Sequence, residues 1–352
     1  MKRIAIIPGD GIGIEVTREA VRVLETVRDR YGAGLELIHF DWGAEKYLRE
    51  NVTLPEGALE MFRSDFDAIL VGAFGDPRVP SNRHAIDILM GLRLGLDLYI
   101  NLRPVRLLND RFTPLKRGNR QSIDFVVFRE NTEGIYANIG GNFKRGTDQE
   151  LAIQEEINTR TGVERIIRAA FAYARKHGRR RVTMADKSNV LTYGHELWRR
   201  VFKIVSAEYP EIEACAQYAD ATAMLMVLEP GQYDVIVTNN MFGDILTDLG
   251  AAIQGGLGVA ASANLHPGRV SLFEPVHGSA PDKAGQEIAN PIGAVATVAI
   301  MLDYLGYPDL ACRIEQAIER VCEAGEVTID LGGKLSTSEA GTAICQRLPD
   351  RR

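Results

Sequence analysis

The sequence predicts an α/β protein in which helices cover a largely parallel β-sheet. Short β-branched runs alternate with segments of helical hydrophobic period from the first residues onward. The composition is that of an ordinary globular protein, with 45% hydrophobic and 25% charged residues. At roughly 150 residues per domain, the length of 352 residues suggests about two domains. Strands and helices that alternate over such a length are typical of sheets flanked by helices.

Each predicted element rests on a local pattern. Short β-branched or apolar runs predict strands at 3–7, 35–40, 68–71, 125–128, 181–184 and 235–237. Helical periodicity predicts helices at 15–29, 56–62, 163–176 and 194–208, and the apolar run 294–305 predicts a buried helix in a mostly helical C-terminal part. The glycine-rich and then strand-like stretch 136–156 predicts either an exposed hairpin or a plain surface loop.

Charge and cysteine content argue against several classes of protein. The net charge of −6 disfavours binding of nucleic acid or an anionic membrane by bulk charge, although clustered arginines could still hold a small anion. No apolar run reaches the roughly 18 residues of a membrane span, and the first residues do not resemble a signal peptide. The four cysteines are scattered without a CxxC motif, so neither a disulfide framework nor a zinc site is predicted. We therefore expect a soluble, cytoplasmic protein.

A glycine cluster, Gly9-Asp10-Gly11-Ile12-Gly13, follows the first predicted strand and opens the first helix. The placement is that of a dinucleotide-binding fingerprint, but the spacing is GxGxG rather than GxGxxG. The difference matters because the third glycine of the fingerprint allows close packing of helix and strand. We interpret the cluster as a tight turn at the edge of an active site.

Three arginines could form an anion site. Arg93 ends a helix-period stretch, Arg103 lies in the run NLRP, and Arg129 begins RENTEG. Guanidinium groups bind carboxylates through paired hydrogen bonds and stay charged at any working pH. Three that converge would suit a di- or tricarboxylate. Spacing alone leaves open the alternative of three surface arginines in unrelated ion pairs.

Two carboxylates could form a metal site. Asp244 and Asp248 are four residues apart on a predicted helix, so their side chains share a face. Ile245, Leu246 and Leu249 are expected to anchor this helix in the core. Paired carboxylates without soft ligands suit a hard cation such as Mg²⁺ or Mn²⁺. A helix cap followed by an ordinary exposed acid is the alternative.

Three further residues have weaker signals. Lys187 follows a predicted strand at the sheet edge where α/β proteins bind ligands, and a partly desolvated lysine among cations can act as a base. Tyr136, in EGIYAN, could donate a proton, and Asp220, in QYADATAM, is another candidate carboxylate. A solvated lysine and a packed tyrosine remain open as alternatives.

The stretch from His277 to Pro291 is turn-rich and leads into the apolar helix. Its small residues and backbone amides could approach an adenosine group. Asp282 would accept ribose hydroxyls and repel a 2′-phosphate. Spacing alone also allows a loop without a ligand.

Taken together, seven segments resemble the isocitrate/isopropylmalate dehydrogenase family of β-decarboxylating dehydrogenases. In chain order they are IPGDGIGIEV, GLRLGLDLYINLRPV, VVFRENTEGIYANIGG, ADKSNVL, QYADATAM, VTNNMFGDILTDLG and EPVHGSAPDKAGQEIANP. The resemblance covers the chain from the first strand to about Leu305. Seven motifs in the family's order are far more specific than any one of them.

The resemblance implies the family's two-domain isopropylmalate dehydrogenase-like fold, with a second domain inserted into the first. The first, cofactor-side domain would comprise 1–100 and 252–352, and the second, which carries metal, substrate and dimer contacts, would comprise 101–251. The hairpin at about 136–156 would be an arm that interlocks with a second subunit. The protein would then be a homodimer with shared active sites.

The resemblance also assigns roles by motif position. Substrate carboxylates would be held by three arginines, Arg93, Arg103 and Arg129. The metal, Mg²⁺ or Mn²⁺, would be bound by three aspartates, Asp244, Asp248 and, from the second subunit, Asp220. Lys187, also from the second subunit, would take the C2 hydroxyl proton, and Tyr136 would protonate the enolate after decarboxylation. The cofactor would lie on His277, Gly278, Ser279, Ala280, Asp282 and Asn290. Asp282 is similar to the acid of NAD-using members, although Lys283 directly after it is unusual.

Substrate choice would depend on the helix before Arg93. Leu89 and Met90 form an apolar surface that suits an isopropyl group, so NAD-dependent oxidative decarboxylation of 3-isopropylmalate to 4-methyl-2-oxopentanoate, in leucine biosynthesis, is the first expectation. Asp87 and Leu89 replace the serine and asparagine of isocitrate enzymes. Ile86 departs from the glutamate of the commonest isopropylmalate enzymes, which keeps D-malate or tartrate as a second expectation. A non-catalytic relative that binds a carboxylate or nucleotide is the alternative of another class.

Overall fold

The computed structural model describes residues 1–350. The strands are β1 (Lys2–Gly9), β2 (Leu35–His39), β3 (Ala68–Ala73), β4 (Ile100–Arg106), β5 (Asp124–Glu130), β6 (Gly134–Phe143), β7 (Leu151–Ile157), β8 (Arg181–Asp186), β9 (Glu213–Tyr218), β10 (Val235–Thr238), β11 (Ala261–Leu265) and β12 (Ser271–Pro275). The helices are α1 (Ile12–Tyr31), α2 (Ala44–Glu50), α3 (Ala58–Asp65), α4 (Arg83–Gly95), α5 (Arg160–Lys176), α6 (Gly194–Ser206), α7 (Ala219–Leu228), α8 (Asn240–Gln254), α9 (Ile292–Tyr304), α10 (Pro308–Ala324) and α11 (Thr337–Arg347). The predicted α/β class is confirmed.

The chain divides into two compact units. The first unit comprises Met1–Leu98, Arg106–Arg120 and the chain from Ala251 onward. The second comprises Tyr99–Val105 and Gln121–Gly250, and is therefore inserted into the first along the sequence. The short segment Arg106–Arg120 belongs to the first unit, whereas the sequence placed all of 101–251 in the second domain. The assignment of cofactor, metal and dimer roles to the units remains a prediction.

The first unit has the strand order β2-β1-β3-β12-β11. β1 runs parallel to β2 and to β3, β3 runs parallel to β12, and β11 is antiparallel to β12. Ile7 and Val71, on β1 and β3, belong to the same buried cluster as Phe62 of α3 and Leu92 of α4. Helix α9 is almost wholly buried, as its apolar sequence predicted.

The glycine cluster forms a tight turn between β1 and α1. Gly11 has a φ of 54°, and a Cβ built on it would lie 2.2 Å from the carbonyl oxygen of Ser279, so only glycine fits there. The amide of Ile12 donates to the same Ser279 oxygen over 2.8 Å. The carboxylate of Asp10 accepts the amide of Gly75 over 2.9 Å. The turn therefore holds the segment around Ser279 against the start of α1.

The second unit has the strand order β4-β5-β10-β8-β9, and β5, β10, β8 and β9 run parallel. The carboxyl ends of parallel strands lie at one edge of a sheet, which is where α/β proteins carry their sites. β6 and β7 form a separate antiparallel hairpin in which Phe143 pairs with Leu151. The hairpin alternative for 136–156 is confirmed, while its role as a dimer arm stays a prediction.

Candidate active site

Arg129, Tyr136 and Asp244 form one contact group in the second unit. Arg129, near the end of β5, is buried, and its Nη1 donates to Asp244 Oδ1 over 2.5 Å. The hydroxyl of Tyr136 donates to Asp244 Oδ2 over 2.7 Å, and the Arg129 Cζ lies 5.1 Å from the centre of the Tyr136 ring. A cation and a hydroxyl therefore hold both oxygens of one carboxylate.

Arg103 joins this group from β4. Its Nη1 donates to Thr247 Oγ1 over 2.7 Å, which anchors the guanidinium on α8. Its Nη2 lies 3.6 Å from Asp244 Oδ1 and its Nη1 lies 3.8 Å from Asp248 Oδ1. The structure therefore brings together five residues that the sequence singled out, Arg103, Arg129, Tyr136, Asp244 and Asp248.

Helix α8 places the two carboxylates. It begins directly after β10, and the side chain of Asn239 accepts the amide of Phe242 over 3.0 Å, as a residue at a helix start commonly does. Gly243 faces Arg129 so closely that a Cβ would lie 2.5 Å from Arg129 Cγ. The expectation that Ile245 anchors the helix in the core is wrong, because 61% of this side chain is exposed in the single chain.

The donor set of α8 fits a hard divalent cation. Asp244 and Asp248 lie one turn apart on the same face, and they offer oxygen ligands only. Asp248 is largely exposed and Asp244 half-buried, so both carboxylates can be reached. Carboxylate oxygens of this kind suit Mg²⁺ or Mn²⁺ better than a soft metal.

Lys187 and Asp220 form a second, separate pair in the same unit. Lys187 follows β8 directly, Asp220 lies in the first turn of α7, and the Lys187 Nζ lies 2.7 Å from Asp220 Oδ1. The ammonium of Lys187 lowers the pKa of the Asp220 carboxyl. Within residues 1–350, no three His, Cys, Asp or Glu side chains form a group that could hold a metal. Asp220 is therefore not grouped with Asp244 and Asp248.

The predicted substrate helix, α4, lies in the first unit. Arg93 is in its last turn and is half-buried. Leu89 is half-buried as well and packs partly against the core of this unit, so only a part of its side chain can contact a ligand. Met90, next to it, is half-buried, and Ile86 is mostly exposed.

The predicted cofactor segment in the first unit contains an unpaired buried nitrogen. His277 Nδ1 bonds to the carbonyl oxygen of Gly278 over 3.1 Å, so this nitrogen carries the proton and Nε2 is an acceptor. Nε2 is buried without a hydrogen-bond partner, and burial lowers the pKa of His277. Asp282 is exposed, while Asn290 is buried and donates to Asp330 over 3.0 Å. A buried acceptor and an exposed acid in the same segment fit a hydroxyl-rich nucleotide.

Comparison with known proteins identifies the family. The isocitrate/isopropylmalate dehydrogenase family model matches residues 3–344. The chain belongs to this family. The 3-isopropylmalate dehydrogenase of Thermobifida fusca is 46% identical over 99% of this chain and 98% of the relative, and that of Frankia casuarinae is 48% identical over 90% and 91%.

Two solved structures share the fold. The isocitrate dehydrogenase from Methylococcus capsulatus has a TM-score of 0.89 and 38% identity, and the match covers 99% of both chains. The TT0538 protein from Thermus thermophilus has a TM-score of 0.87 and 36% identity, over 99% of this chain and 68% of that one. The family resemblance and the dehydrogenase class predicted from the sequence are confirmed.

The sequence did not reveal several residues that support the site. Asn240 accepts Nε and Nη2 of Arg129 over 3.0 and 2.6 Å. Two buried residues, His195 and Asn239, and the half-buried Glu156 form a group next to Lys187. The pair Asn239-Asn240 after a strand was a visible signal for a helix start, but nothing in the sequence linked His195 to Glu156. Within residues 1–350, no helix is long and apolar enough to cross a membrane.

Proposed function

We propose that this chain is an NAD- and divalent-metal-dependent enzyme that oxidatively decarboxylates 3-isopropylmalate to 4-methyl-2-oxopentanoate, a reaction of leucine biosynthesis. The proposal depends on the cluster of Arg103, Arg129, Tyr136 and Asp244, which combines cations, oxygen ligands and a hydroxyl donor. The curated relatives that are 46–48% identical and named 3-isopropylmalate dehydrogenase support this substrate.

The charges of the cluster suit a dicarboxylate with a divalent cation. Arg103 and Arg129 balance Asp244 and Asp248, so a dianion and a divalent cation added together leave the site neutral. The guanidinium of Arg129 is already fixed by burial and by Asn240, and therefore loses little entropy when it binds a carboxylate. When bound by Asp244 and Asp248, Mg²⁺ or Mn²⁺ would polarise the C2 oxygen of the substrate.

Two proton transfers accompany the oxidation and the loss of CO₂. Lys187 would take the C2 hydroxyl proton, and NAD, when bound, would supply the acceptor for the C2 hydride. Tyr136 would give a proton to the carbon that has lost CO₂. Its hydroxyl already lies 2.7 Å from Asp244, so the proton donor is held beside the proposed metal ligand.

The nicotinamide cofactor is proposed to be NAD. Asp282 is exposed in the predicted cofactor segment, where its carboxylate would accept ribose hydroxyls and repel a 2′-phosphate. Lys283 is also exposed, and would weaken this repulsion without removing it. The kcat/KM with NAD⁺ should therefore exceed that with NADP⁺, and the reverse order would contradict the role of Asp282.

D-malate or tartrate is the second candidate substrate. Leu89 packs partly against the core, so less apolar surface is left for an isopropyl group than its sequence position implies. Pockets that differ by a methylene discriminate by only about 1–3 kcal/mol, so substrate ranges can overlap. A non-catalytic relative would be expected to lack Lys187, Tyr136 or a metal aspartate, and this chain has all of them.

We also propose that the protein is a cytoplasmic homodimer whose active sites are shared between the two subunits. The hairpin exposes Ile139, Phe143, Leu151 and Ile153 in the single chain, and a second copy would cover them. Lys187 and Asp220 pair with each other rather than with the Arg129 group, which supports their assignment to the site of the second subunit.

Formation of NADH with 3-isopropylmalate, D-malate, tartrate and isocitrate tests the substrate. We expect the highest kcat/KM with 3-isopropylmalate, a requirement for Mg²⁺ or Mn²⁺, and release of CO₂. A kcat/KM that is higher with D-malate or tartrate than with 3-isopropylmalate would contradict 3-isopropylmalate as the substrate and support the second candidate. Binding of 3-isopropylmalate and NAD⁺ without any NADH would favour the non-catalytic alternative.

A further inference from the structure

The backbone of Lys187 is held by a buried histidine to which no role has been assigned. The Lys187 amide donates to His195 Nδ1 over 2.9 Å. The Lys187 carbonyl accepts the amides of Val190 and Leu191 over 3.0 and 2.9 Å. His195 itself is buried in the first turn of α6. A side chain therefore fixes the one backbone group of Lys187 that the local turn leaves without a partner.

This contact determines which nitrogen of His195 carries the proton. A backbone amide can only donate, so Nδ1 must be unprotonated and the ring proton lies on Nε2. Nε2 lies 3.4 Å from Glu156 Oε1, at the end of β7. The same Glu156 oxygen accepts Asn239 Nδ2 over 2.8 Å. The hydrogen bond from His195 is the main cause that lowers the pKa of the Glu156 carboxyl.

The orientation of Asn239 is fixed from its other side. Its Oδ1 accepts the amide of Phe242 at the start of α8, so its Nδ2 must point toward Glu156. Glu156 is therefore a common acceptor for Asn239 Nδ2 and His195 Nε2. These two nitrogens lie 3.3 Å apart, and because both are donors they do not bond to each other. His195 and Asn239 are buried and Glu156 is half-buried, and hydrogen bonds among such groups hold their members in one arrangement.

We propose that His195, oriented by Glu156, is a positioning residue for Lys187. This inference rests on the proposed function, in which Lys187 removes the C2 hydroxyl proton. Asp220 Oδ1 lies 2.7 Å from the Lys187 Nζ and His195 holds the backbone, so both ends of a flexible side chain are constrained. Misplacement of a catalytic group by about 1 Å can cost on the order of 100-fold in rate, which gives such a constraint its value.

Two substitutions of His195 distinguish a role in orienting Lys187 from a role in packing alone. In His195→Asn the amide oxygen takes the place of Nδ1 and still accepts the Lys187 amide, whereas His195→Leu fills similar space without an acceptor. For the Leu variant we expect kcat to fall about tenfold or more, as for partners that orient a catalytic group, with a KM for 3-isopropylmalate within about twofold of wild type. The Asn variant should keep most of the wild-type kcat.

Substitutions at Glu156 provide an independent test if His195→Leu does not fold. Glu156→Gln keeps an acceptor for His195 and should keep most of kcat, while Glu156→Leu should lower kcat as His195→Leu does. Melting temperatures and NADH binding by fluorescence verify folding. Equal kcat in the Leu and Asn variants of His195, whether both high or both low, overturns the positioning role. Full activity of Lys187→Ala would instead refute the role of Lys187 as the base. This variant therefore distinguishes a failure of the proposed function from a failure of the positioning role of His195.

Discussion

Asp244 is the residue on which most contacts of the candidate site converge. One oxygen pairs with the buried Arg129, the other accepts the Tyr136 hydroxyl, and Arg103 lies within 3.6 Å. All four residues were candidates from the sequence, because each lies in a motif whose side chain can bind an anion or a metal or transfer a proton. The sequence could not show that the carboxylate also orders the two arginines, since those come from separate strands, β4 and β5.

Replacement of Asp244 by Asn should abolish most of the activity. The amide keeps the size but removes the charge that balances Arg129 and serves as metal ligand. We expect kcat/KM to fall about 100-fold or more and the Mn²⁺ concentration for half-maximal rate to rise. Asp309→Asn, at an exposed acid in the first turn of α10, is the matched control and should leave both unchanged. A wild-type Mn²⁺ dependence in Asp244→Asn would exclude this carboxylate as a ligand.

Tyr136→Phe tests the proton donor. The ring, which lies 5.1 Å from Arg129 Cζ, is retained, so the cation–π contact and the packing persist. Loss of the hydroxyl should lower kcat by about 100-fold or more, as expected for a general acid, with a smaller change in KM. The NADH assay measures both constants. A kcat close to that of wild type would show that another group supplies the proton.

Glu156 predicts a pH effect on stability. Its pKa in the folded protein lies below the ordinary value of 4.5, chiefly because of the hydrogen bond with His195. A carboxyl of this kind stabilises the fold above its unfolded pKa and loses that contribution as the pH falls through its folded pKa. The unfolding free energy of wild type should therefore exceed that of Glu156→Gln at neutral pH. In urea titrations the difference in unfolding free energy between the two proteins should become smaller below about pH 4.5. A difference that does not change with pH would contradict the lowered pKa of Glu156.

At the scale of single elements, helix α8 shows how closely the site is packed. Alanine in place of Gly243 would gain about 0.5–1 kcal/mol in helix propensity. Its Cβ would, however, lie 2.5 Å from Arg129 Cγ, and overpacking of a buried site costs about 1–3 kcal/mol. We therefore expect net destabilisation in urea titrations and a lower kcat/KM for Gly243→Ala.

Gly34→Ala is the matched control for Gly243→Ala. A Cβ at Gly34 would meet Met1 Cα at 3.6 Å, which is an ordinary contact. This variant should retain the wild-type activity and stability. If Gly243→Ala is as stable and as active as wild type, Arg129 moves to make room for the Cβ without loss of stability or activity.

Most helices and strands could be predicted from the sequence, because the spacing of apolar residues indicates which residues are buried. The apolar run 294–305 predicted the buried helix α9, and the hairpin of β6 and β7 was one of two alternatives for 136–156. The inward position expected for Ile245 was wrong, because 61% of this side chain is exposed and the apolar character of one residue does not specify which face of a helix is buried. The link between Glu156 and His195 joins residues 39 apart, and no periodicity encodes such a contact.

At the scale of the whole molecule, the hairpin should hold a dimer together. The side chain of Phe143 is 63% exposed, and burial of each such apolar side chain contributes about 1.5–3 kcal/mol. Phe143→Ser combined with Ile153→Ser should therefore shift the protein toward monomers in sedimentation equilibrium and lower its activity in parallel. Leu48→Ser, at an exposed apolar residue of α2 in the first unit, is the control. Unchanged dimers in the double variant would exclude the hairpin as the arm.

The shared site is tested most directly by mixing inactive subunits. Lys187→Ala and Arg93→Ala are each expected to abolish NADH formation from 3-isopropylmalate. If the active site is shared as proposed, one site of a hybrid dimer would combine the intact Arg93 of one subunit with the intact Lys187 of the other. Co-expression in equal amounts should then restore about one quarter of the wild-type activity, since half of the dimers are hybrids with one working site. A mixture no more active than its two parents would contradict a site built from two subunits.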